Sequence, residues 1–258
     1  MTDSVGVVIP AYRPDVDRLR TYLDDIQGLL NPTTVRIELD APTSETEEKL
    51  AGAPATVSTA ADRRGKGAAI TNGFDALSTD VVAFADADGS TPAESLAAVV
   101  SVVPDVDVAV GSRRHPDASL VTDQTVWRRS LGDVFAWGAR RLVSPGLFDY
   151  QCGAKALAAP VWRRTRELVR EPGFAWDLEV LGMAHALGYE IREVPVAWRD
   201  YPDSTVDPVS TALELARTLV SVRHRQKALD GSRLHGLLNR RRDGGVTRSD
   251  RLPSRPGE

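Results

Sequence analysis

Two kinds of hydrophobic pattern alternate along the first half of the chain. Short β-branched apolar runs, typical of strands buried on both faces, occupy residues 5–10, 35–39, 55–60, 81–85 and 106–110. Between them, apolar residues recur at helical spacing over 16–30, 45–50 and 67–77, and a further helix begins near Pro92. Strand and helix in this order predict an α/β fold, a mainly parallel sheet with helices on both faces.

The second half of the chain has a less regular pattern. It predicts a helix over 126–143, a loop over 146–153, a helix over 176–187, a strand over 189–196 and a final amphipathic helix over about 211–227. Residues 228–258 are basic, polar and poor in large apolar side chains, which is typical of a disordered tail. We therefore expect one folded domain over residues 1–227, including the last helix, and a tail over 228–258.

Length and charge narrow the class of protein. The chain has 258 residues, 42% of them hydrophobic, and a net charge of −4, which argues against a general nucleic-acid partner. Its one cysteine, Cys152, excludes an intrachain disulfide. We find neither a signal-peptide pattern nor an apolar run near the roughly 20 residues that span a bilayer. We expect a cytoplasmic protein, attached at most peripherally to the membrane.

The strongest candidate for chemistry is the pair Asp86 and Asp88, which follows a buried strand. Carboxylates one residue apart on an extended segment point the same way and suit Mg²⁺ or Mn²⁺. Turn formation and capping of the helix at Pro92 explain them equally well. Because parallel strands end at one edge of the sheet, Asp40, Asp86, Asp88 and Arg113 should gather there.

Basic residues follow several of the same strands. Arg63 to Gly67 precede a helix, whose N-terminus suits a phosphate, and two arginine pairs lie at 113–114 and 128–129. Solvated surface charge is the alternative for all of them. Asp177 and Glu179 begin a predicted helix, where capping alone could explain them.

The motifs, taken in order, resemble a known family. They are VVIPAY, RGKGAAI, FADADGST, VGSRR, WRRS, DYQCGAKAL, FAWDLEVL and EVPVAW, spread over roughly residues 5–225. The set resembles the inverting family-2 glycosyltransferases with the GT-A fold, above all dolichyl-phosphate glucosyltransferases and dolichyl-phosphate mannose synthases. The resemblance implies that a hexose moves from a nucleotide-diphospho-sugar to a polyprenyl phosphate such as dolichyl phosphate, for protein N-glycosylation.

The resemblance also implies roles for individual residues. A divalent cation, Mg²⁺ or Mn²⁺, would be held by Asp86 and Asp88, with Arg113 and Arg129 on the phosphates of donor and acceptor. The nucleotide would be contacted by Pro10, Ala11, Tyr12, Asp40 and Lys66. The sugar and acceptor side would be shaped by Asp149, Gln151, Trp176 and Asp177.

Departures from the family pattern bear on the donor. Arg13-Pro14 replaces an Asn-Glu pair, and Asp40-Ala41-Pro42 keeps one carboxylate where the family has two. Ser90 resembles the glucosyltransferase branch, which favours a UDP-hexose over GDP-mannose. A glycosyltransferase with a soluble or glycan acceptor and a non-catalytic sugar-nucleotide-binding protein are the alternatives. A nucleotidyltransferase would need a Gly-rich N-terminal loop, which VVIPAYRPD lacks.

The amphipathic helix over 211–227 has two interpretations. Its leucines, valines and arginines suit the surface of an anionic membrane, at the cytoplasmic face where a lipid acceptor would be met. Packing against the domain core or a second subunit accounts for the same pattern.

Overall fold

The computed structural model describes residues 3–120, 143, 146–199 and 217–229. Within these ranges, the strands are β1 Val5–Tyr12, β2 Thr34–Asp40, β3 Thr56–Ala60, β4 Val81–Ala85, β5 Val108–Ser112, β6 Ser119–Leu120, β7 Ala154–Ala158, β8 Ile191–Pro195 and β9 Ala197–Trp198. The helices are α1 Val16–Leu30, α2 Ser44–Leu50, α3 Lys66–Asp75, α4 Ala93–Ser101, α5 Ala159–Arg166 and α6 Trp176–Leu187, and residues 217–229 are also helical.

Seven strands form one sheet in the order β3-β2-β1-β4-β7-β5-β8. All neighbours are parallel except β7, which runs antiparallel between β4 and β5. The prediction of a mainly parallel sheet is therefore confirmed. Two short strands, β6 and β9, pair separately.

Side chains alternate across the sheet and bury a core on each face. Along β4, Val81, Ala83 and Ala85 pack with α1 and α4, whereas Val82 and Phe84 pack with α3, α5 and α6. Strands buried on both faces explain why the sequence shows near-continuous apolar runs instead of polar alternation.

The last described helix packs on the domain. Leu219 and Val222 are buried with α6, and the Gln226 side chain donates to the carbonyls of Val143 and Gly182 at 2.7 and 2.8 Å. Of the two interpretations of this helix, core packing holds for its apolar side over 217–229. No described helix is both long and apolar enough to cross a membrane.

The structure departs from the sequence prediction at three elements. The strand β7 and the helix α5 were not anticipated from the sequence, and Pro92 stands at the N-cap of α4 instead of inside its first turn. The expected helix over 126–143 lies outside the described residues except for Val143, as do Arg129, residues 211–216 and the tail from 230. The domain boundary at 227 stays a prediction.

Candidate active site

The carboxyl ends of the parallel strands meet at one edge of the sheet, as the sequence predicted. Tyr12 ends β1, Asp40 ends β2, Asp86 follows β4 and Arg113 follows β5. The antiparallel β7 begins at the same edge, so the loop before it delivers Gln151 there. The N-terminal ends of α3 and α6 add Lys66 and Asp177.

Lys66 connects the strand-end carboxylate to a buried carboxylate beneath it. Its ammonium group lies 2.8 Å from Oδ1 of Asp86 and 3.5 Å from Oδ2 of Asp177. Asp177 also accepts from Lys155, at 2.6 Å, and Lys155 is completely buried. Capping of α6 therefore does not account for Asp177, which is the counter-ion of two lysines.

The surroundings of Lys66 favour its charged form. Burial opposes the charge on Lys66, but Asp177 and Asp86 outweigh it and raise the pKa of Lys66 well above its usual range. Both lysines also lie over the ring of Phe84, at 5.1 and 5.3 Å from its centroid. From the protein interior to the end of β4, positive and negative side chains thus alternate in a row: Lys155, Asp177, Lys66 and Asp86.

Asp88 lies at the exposed end of this row. Its Oδ1 accepts from the backbone N–H of Ser90 at 2.9 Å, so part of its role is that of a turn residue, as the capping interpretation required. Lost hydration and the neighbouring Asp86 raise the pKa of Asp88. From below, the Tyr22 hydroxyl fixes the same turn by donating to the Thr91 carbonyl at 2.7 Å.

Arg113 is held by a buried carboxylate. Asp149 accepts from the backbone N–H, Nε and Nη2 of Arg113 at 3.1, 2.7 and 2.9 Å, and from the N–H of Gln151 at 3.0 Å. Burial alone would raise the pKa of Asp149, but the charge and hydrogen bonds of Arg113 hold it well below the usual range. Such a forked pair fixes the guanidinium in one orientation, close to the Trp198 ring at 5.7 Å.

Asp40 is already engaged within the protein. It accepts from Nε of Arg64 at 2.7 Å and from the N–H of Gly65 at 3.0 Å, and it is 3% exposed. Arg64 also pairs with the buried Glu38 at 2.9 Å. A contact between Asp40 and a base edge, as the sequence suggested, would require Arg64 to move.

Of the three β1 residues predicted to frame a base, Tyr12 has the exposed surface. The guanidinium groups of Arg63 and Arg13 lie 4.3 and 5.2 Å from its ring centroid. Pro10 and Ala11 are buried in the strand.

Packing corrects the expectation that Trp176 shapes the sugar and acceptor side. Trp176 is completely buried, donates to Oγ1 of Thr71 at 2.9 Å and stacks edge-on against Phe74 and Phe84, so it supports the site from beneath. A Cβ on Gly67 would lie 2.7 Å from the Glu171 carbonyl, so this glycine allows the close approach of α3 to the segment before α6.

Cys152 is a buried, free thiol. Burial, with Asp149 nearby, raises the pKa of its thiol to about 11, so it stays protonated. Its carbonyl accepts from Lys155 at 2.8 Å.

The residues at the strand end fit a divalent cation. Mg²⁺ and Mn²⁺ take oxygen ligands and commonly bind one or two carboxylates together with substrate phosphates. Asp86 and Asp88 supply two carboxylates whose mutual repulsion a cation would relieve. Among the described residues, no group of three or more His, Cys, Asp or Glu side chains that could hold a metal ion is found.

Sequence reasoning assigned no role to Lys155 or Glu193, although both lie in quoted motifs. A lysine is most often exposed, so the sequence alone did not indicate that Lys155 is buried. Glu193 accepts backbone N–H groups from the loop before β7. The one signal for either was a charged residue inside an otherwise apolar run.

The fold and the sequence are both similar to those of known glycosyltransferases. The glucosyl-3-phosphoglycerate synthase of Mycobacterium tuberculosis, solved with Mn²⁺, UDP-glucose and phosphoglyceric acid, superposes with a TM-score of 0.66 at 17% identity. The superposition covers 86% of this chain and 80% of that one, so the chain has the GT-A glycosyltransferase fold. The model of the family described as Glycosyl transferase family 2 matches residues 6–156, and the chain belongs to that family.

Curated relatives match over most of the chain. A dolichyl-phosphate beta-glucosyltransferase of Dictyostelium discoideum is 27% identical over 243 residues, 86% of this chain and 74% of that protein. The human protein of the same name is 25% identical over 87% of this chain and 76% of its own length. Glycosyltransferase AglD of Haloferax volcanii is 28% identical over 84% of this chain, which spans 36% of that protein.

Proposed function

We propose that this protein transfers a hexose from a nucleotide-diphospho-sugar, a UDP-hexose in preference to GDP-mannose, to a polyprenyl phosphate such as dolichyl phosphate. The observation that carries the proposal is the strand-end pair Asp86 and Asp88, with Lys66 against it and Arg113 held at the same edge. Relatives named dolichyl-phosphate beta-glucosyltransferase supply the acceptor class and favour glucose as the sugar.

The residues divide the work by charge. A divalent cation held by Asp86 and Asp88 would supply Lewis-acid stabilisation of the departing nucleotide diphosphate. Lys66 adds a fixed positive charge beside these carboxylates, and Asp177 holds it there. Such preorganised charge stabilises a leaving group without reorganisation during the reaction.

The acceptor needs positioning more than activation. A polyprenyl phosphate is already an anion, so it requires little general-base help. The forked pair with Asp149 leaves Arg113 in one orientation for a phosphate oxygen. In-line attack from the side opposite the nucleotide would invert the anomeric carbon.

The proposed location is the cytoplasmic face of the membrane, with the protein bound peripherally, and the proposed pathway is protein N-glycosylation. The apolar side of the last described helix is buried, but its other side exposes Arg217, Val220, Arg223 and Lys227. A basic surface of this kind attracts anionic lipid. Sedimentation with phosphatidylserine vesicles should retain the protein at low salt and release it at high salt, since surface charges are screened; equal sedimentation with neutral vesicles would contradict this attachment.

The activity is tested with purified protein, dolichyl phosphate and Mn²⁺ or Mg²⁺. UDP-glucose, UDP-galactose, UDP-N-acetylglucosamine and GDP-mannose are offered in turn. A lipid-linked sugar that forms with metal, disappears in Asp88→Ala and persists in Asp24→Ala would support the proposal. Asp24 is a fitting control because it is an exposed aspartate on α1, away from the strand ends.

The other outcomes separate the alternatives. Donor turnover without a lipid product would move the acceptor into solution. Donor binding without turnover of any of the four would favour a non-catalytic sugar-nucleotide-binding protein.

A further inference from the structure

Glu193 ties the outer strand β8 to the loop that precedes β7. Its carboxylate accepts the backbone N–H of Phe148 at 2.8 Å through Oε2 and that of Asp149 at 2.7 Å through Oε1. Each oxygen therefore takes one of two consecutive N–H groups. A carboxylate has the acceptors for both, whereas an amide side chain has one acceptor and one donor group.

The residue fixed by this contact is the one that orients Arg113. Asp149 accepts three N–H groups of Arg113 with its carboxylate while its own N–H is bound by Glu193. Strand pairing sets the other end of the connection, because Ser112, just before Arg113, pairs with Pro195, two residues after Glu193. Strand β8 therefore holds both partners of the ion pair: it pairs with Ser112, next to Arg113, and Glu193 binds the backbone of Asp149.

We propose that Glu193 is a positioning residue for the phosphate-binding Arg113, acting through the backbone of Phe148 and Asp149. The inference rests on the proposed function for the identity of the phosphate. It explains the glutamate of the EVPVAW motif, which neither the metal site nor the core requires. Glu193 makes these hydrogen bonds to the loop backbone, so its effect on Arg113 passes through Phe148 and Asp149.

A double-mutant cycle tests this connection. The probe is inorganic pyrophosphate with Mn²⁺, measured by calorimetry on the wild type, Glu193→Gln, Arg113→Met and the double variant. We expect Glu193→Gln to weaken pyrophosphate binding about tenfold, the effect of losing one hydrogen bond to a charged group. In the Arg113→Met background the same change should have no further effect, since the residue being positioned is gone.

Two further variants keep the result interpretable. Glu190→Gln removes the same charge from an exposed residue just before β8, whose side chain pairs with Arg192, and should bind pyrophosphate as the wild type does. If Arg113→Met does not fold, Arg113→Lys replaces it, because lysine keeps the charge but lacks the fork that matches Asp149. Hydrogen exchange of the 146–153 segment should rise in Glu193→Gln and stay unchanged in Glu190→Gln.

The outcomes are distinct. Normal pyrophosphate binding by Glu193→Gln, an equal loss in both Arg113 backgrounds, or wild-type binding by Arg113→Met would each overturn the inference. Transfer of hexose to dolichyl phosphate is measured on the same proteins. A wild type that binds pyrophosphate but transfers no sugar would defeat the proposed function and leave the role of Glu193 standing.

Discussion

The ammonium group of Lys66 lies 2.8 Å from a carboxylate oxygen of Asp86, so the first carboxylate of the strand-end pair has a cation of its own. Asp177 holds Lys66 from the other side, at 3.5 Å, and is itself held by Lys155. A divalent cation bound by Asp86 and Asp88 would therefore share the Asp86 carboxylate with Lys66. Under the proposed function, Lys66 would weaken metal binding until a ligand with negative charge joins the site.

Replacing Lys66 should therefore strengthen metal binding in the absence of donor. We expect Lys66→Met to bind Mn²⁺ about tenfold more tightly than the wild type, because the positive charge that pairs with Asp86 at 2.8 Å is removed. Calorimetric titration with Mn²⁺ measures this. Lys49→Met, which removes an exposed lysine on α2, is the control; equal or weaker Mn²⁺ binding by Lys66→Met would show that Lys66 does not compete with the metal.

The pair between Asp149 and Arg113 should make stability depend on pH. The pKa of Asp149 is held well below its usual range in the folded protein, so its ionised form stabilises the fold. This stability is fully present above the unfolded pKa, about 4, and is lost as the pH falls toward the folded value. We expect Asp149→Asn to cost about 3 kcal/mol at pH 7, the cost of breaking a buried pair.

The difference between wild type and Asp149→Asn should shrink as the pH falls below about 4, because the carboxyl of Asp149 is then protonated in the unfolded chain while it stays charged in the folded protein. Urea unfolding at pH 7, 5, 4 and 3 measures both free energies of unfolding. A gap that stays constant down to pH 3 would mean that the charge of Asp149 does not stabilise the fold.

The sequence predicted those elements that have a clear local hydrophobic pattern. The strand Val81–Ala85 and the helix Trp176–Leu187 were predicted with the bounds that the structure has, because an apolar run and a helical repeat carry their own signal. The strand β7 was missed because Ala154–Ala158 is short, rich in alanine and contains Lys155. Its place between β4 and β5 depends on pairing with residues about 50 and 70 positions away.

The sequence also predicted one part of the candidate site and missed another. Parallel topology predicted that Asp40, Asp86 and Arg113 would share an edge, since each follows the end of a strand. What the sequence could not supply is the partner of each charge. The engagement of Asp40 by Arg64, and of Asp177 by two lysines, depends on how α3 and α6 pack on the sheet.

Gly153 leaves room for the first carboxylate. Its carbonyl accepts from the N–H of Asp86 at 3.0 Å, and a Cβ at this position would overlap the Asp86 carboxylate. We expect Gly153→Ala to cost about 2 kcal/mol of stability through overpacking and to weaken Mn²⁺ binding, because Asp86 must turn away. Thermal unfolding and Mn²⁺ titration measure the two effects.

The matched control is Gly28→Ala on α1, where nothing lies within 4 Å of the added Cβ. This change should raise stability by about 0.5–1 kcal/mol through helix propensity and leave metal binding alone. If Gly153→Ala behaved as Gly28→Ala does, the close approach of β7 to Asp86 would be incorrect.

The last helix offers a comparison between two valines two residues apart. Val222 is completely buried against α6, whereas Val220 is 68% exposed. Val222→Ala should lower the free energy of unfolding by about 2 kcal/mol, because it opens a cavity that the packed core cannot fill. Val220→Ala should change it by less than about 0.5 kcal/mol. Equal effects of the two changes in urea unfolding would show that this helix does not pack through its Val222 side. That result would contradict core packing and favour the interpretation that this side contacts a membrane surface.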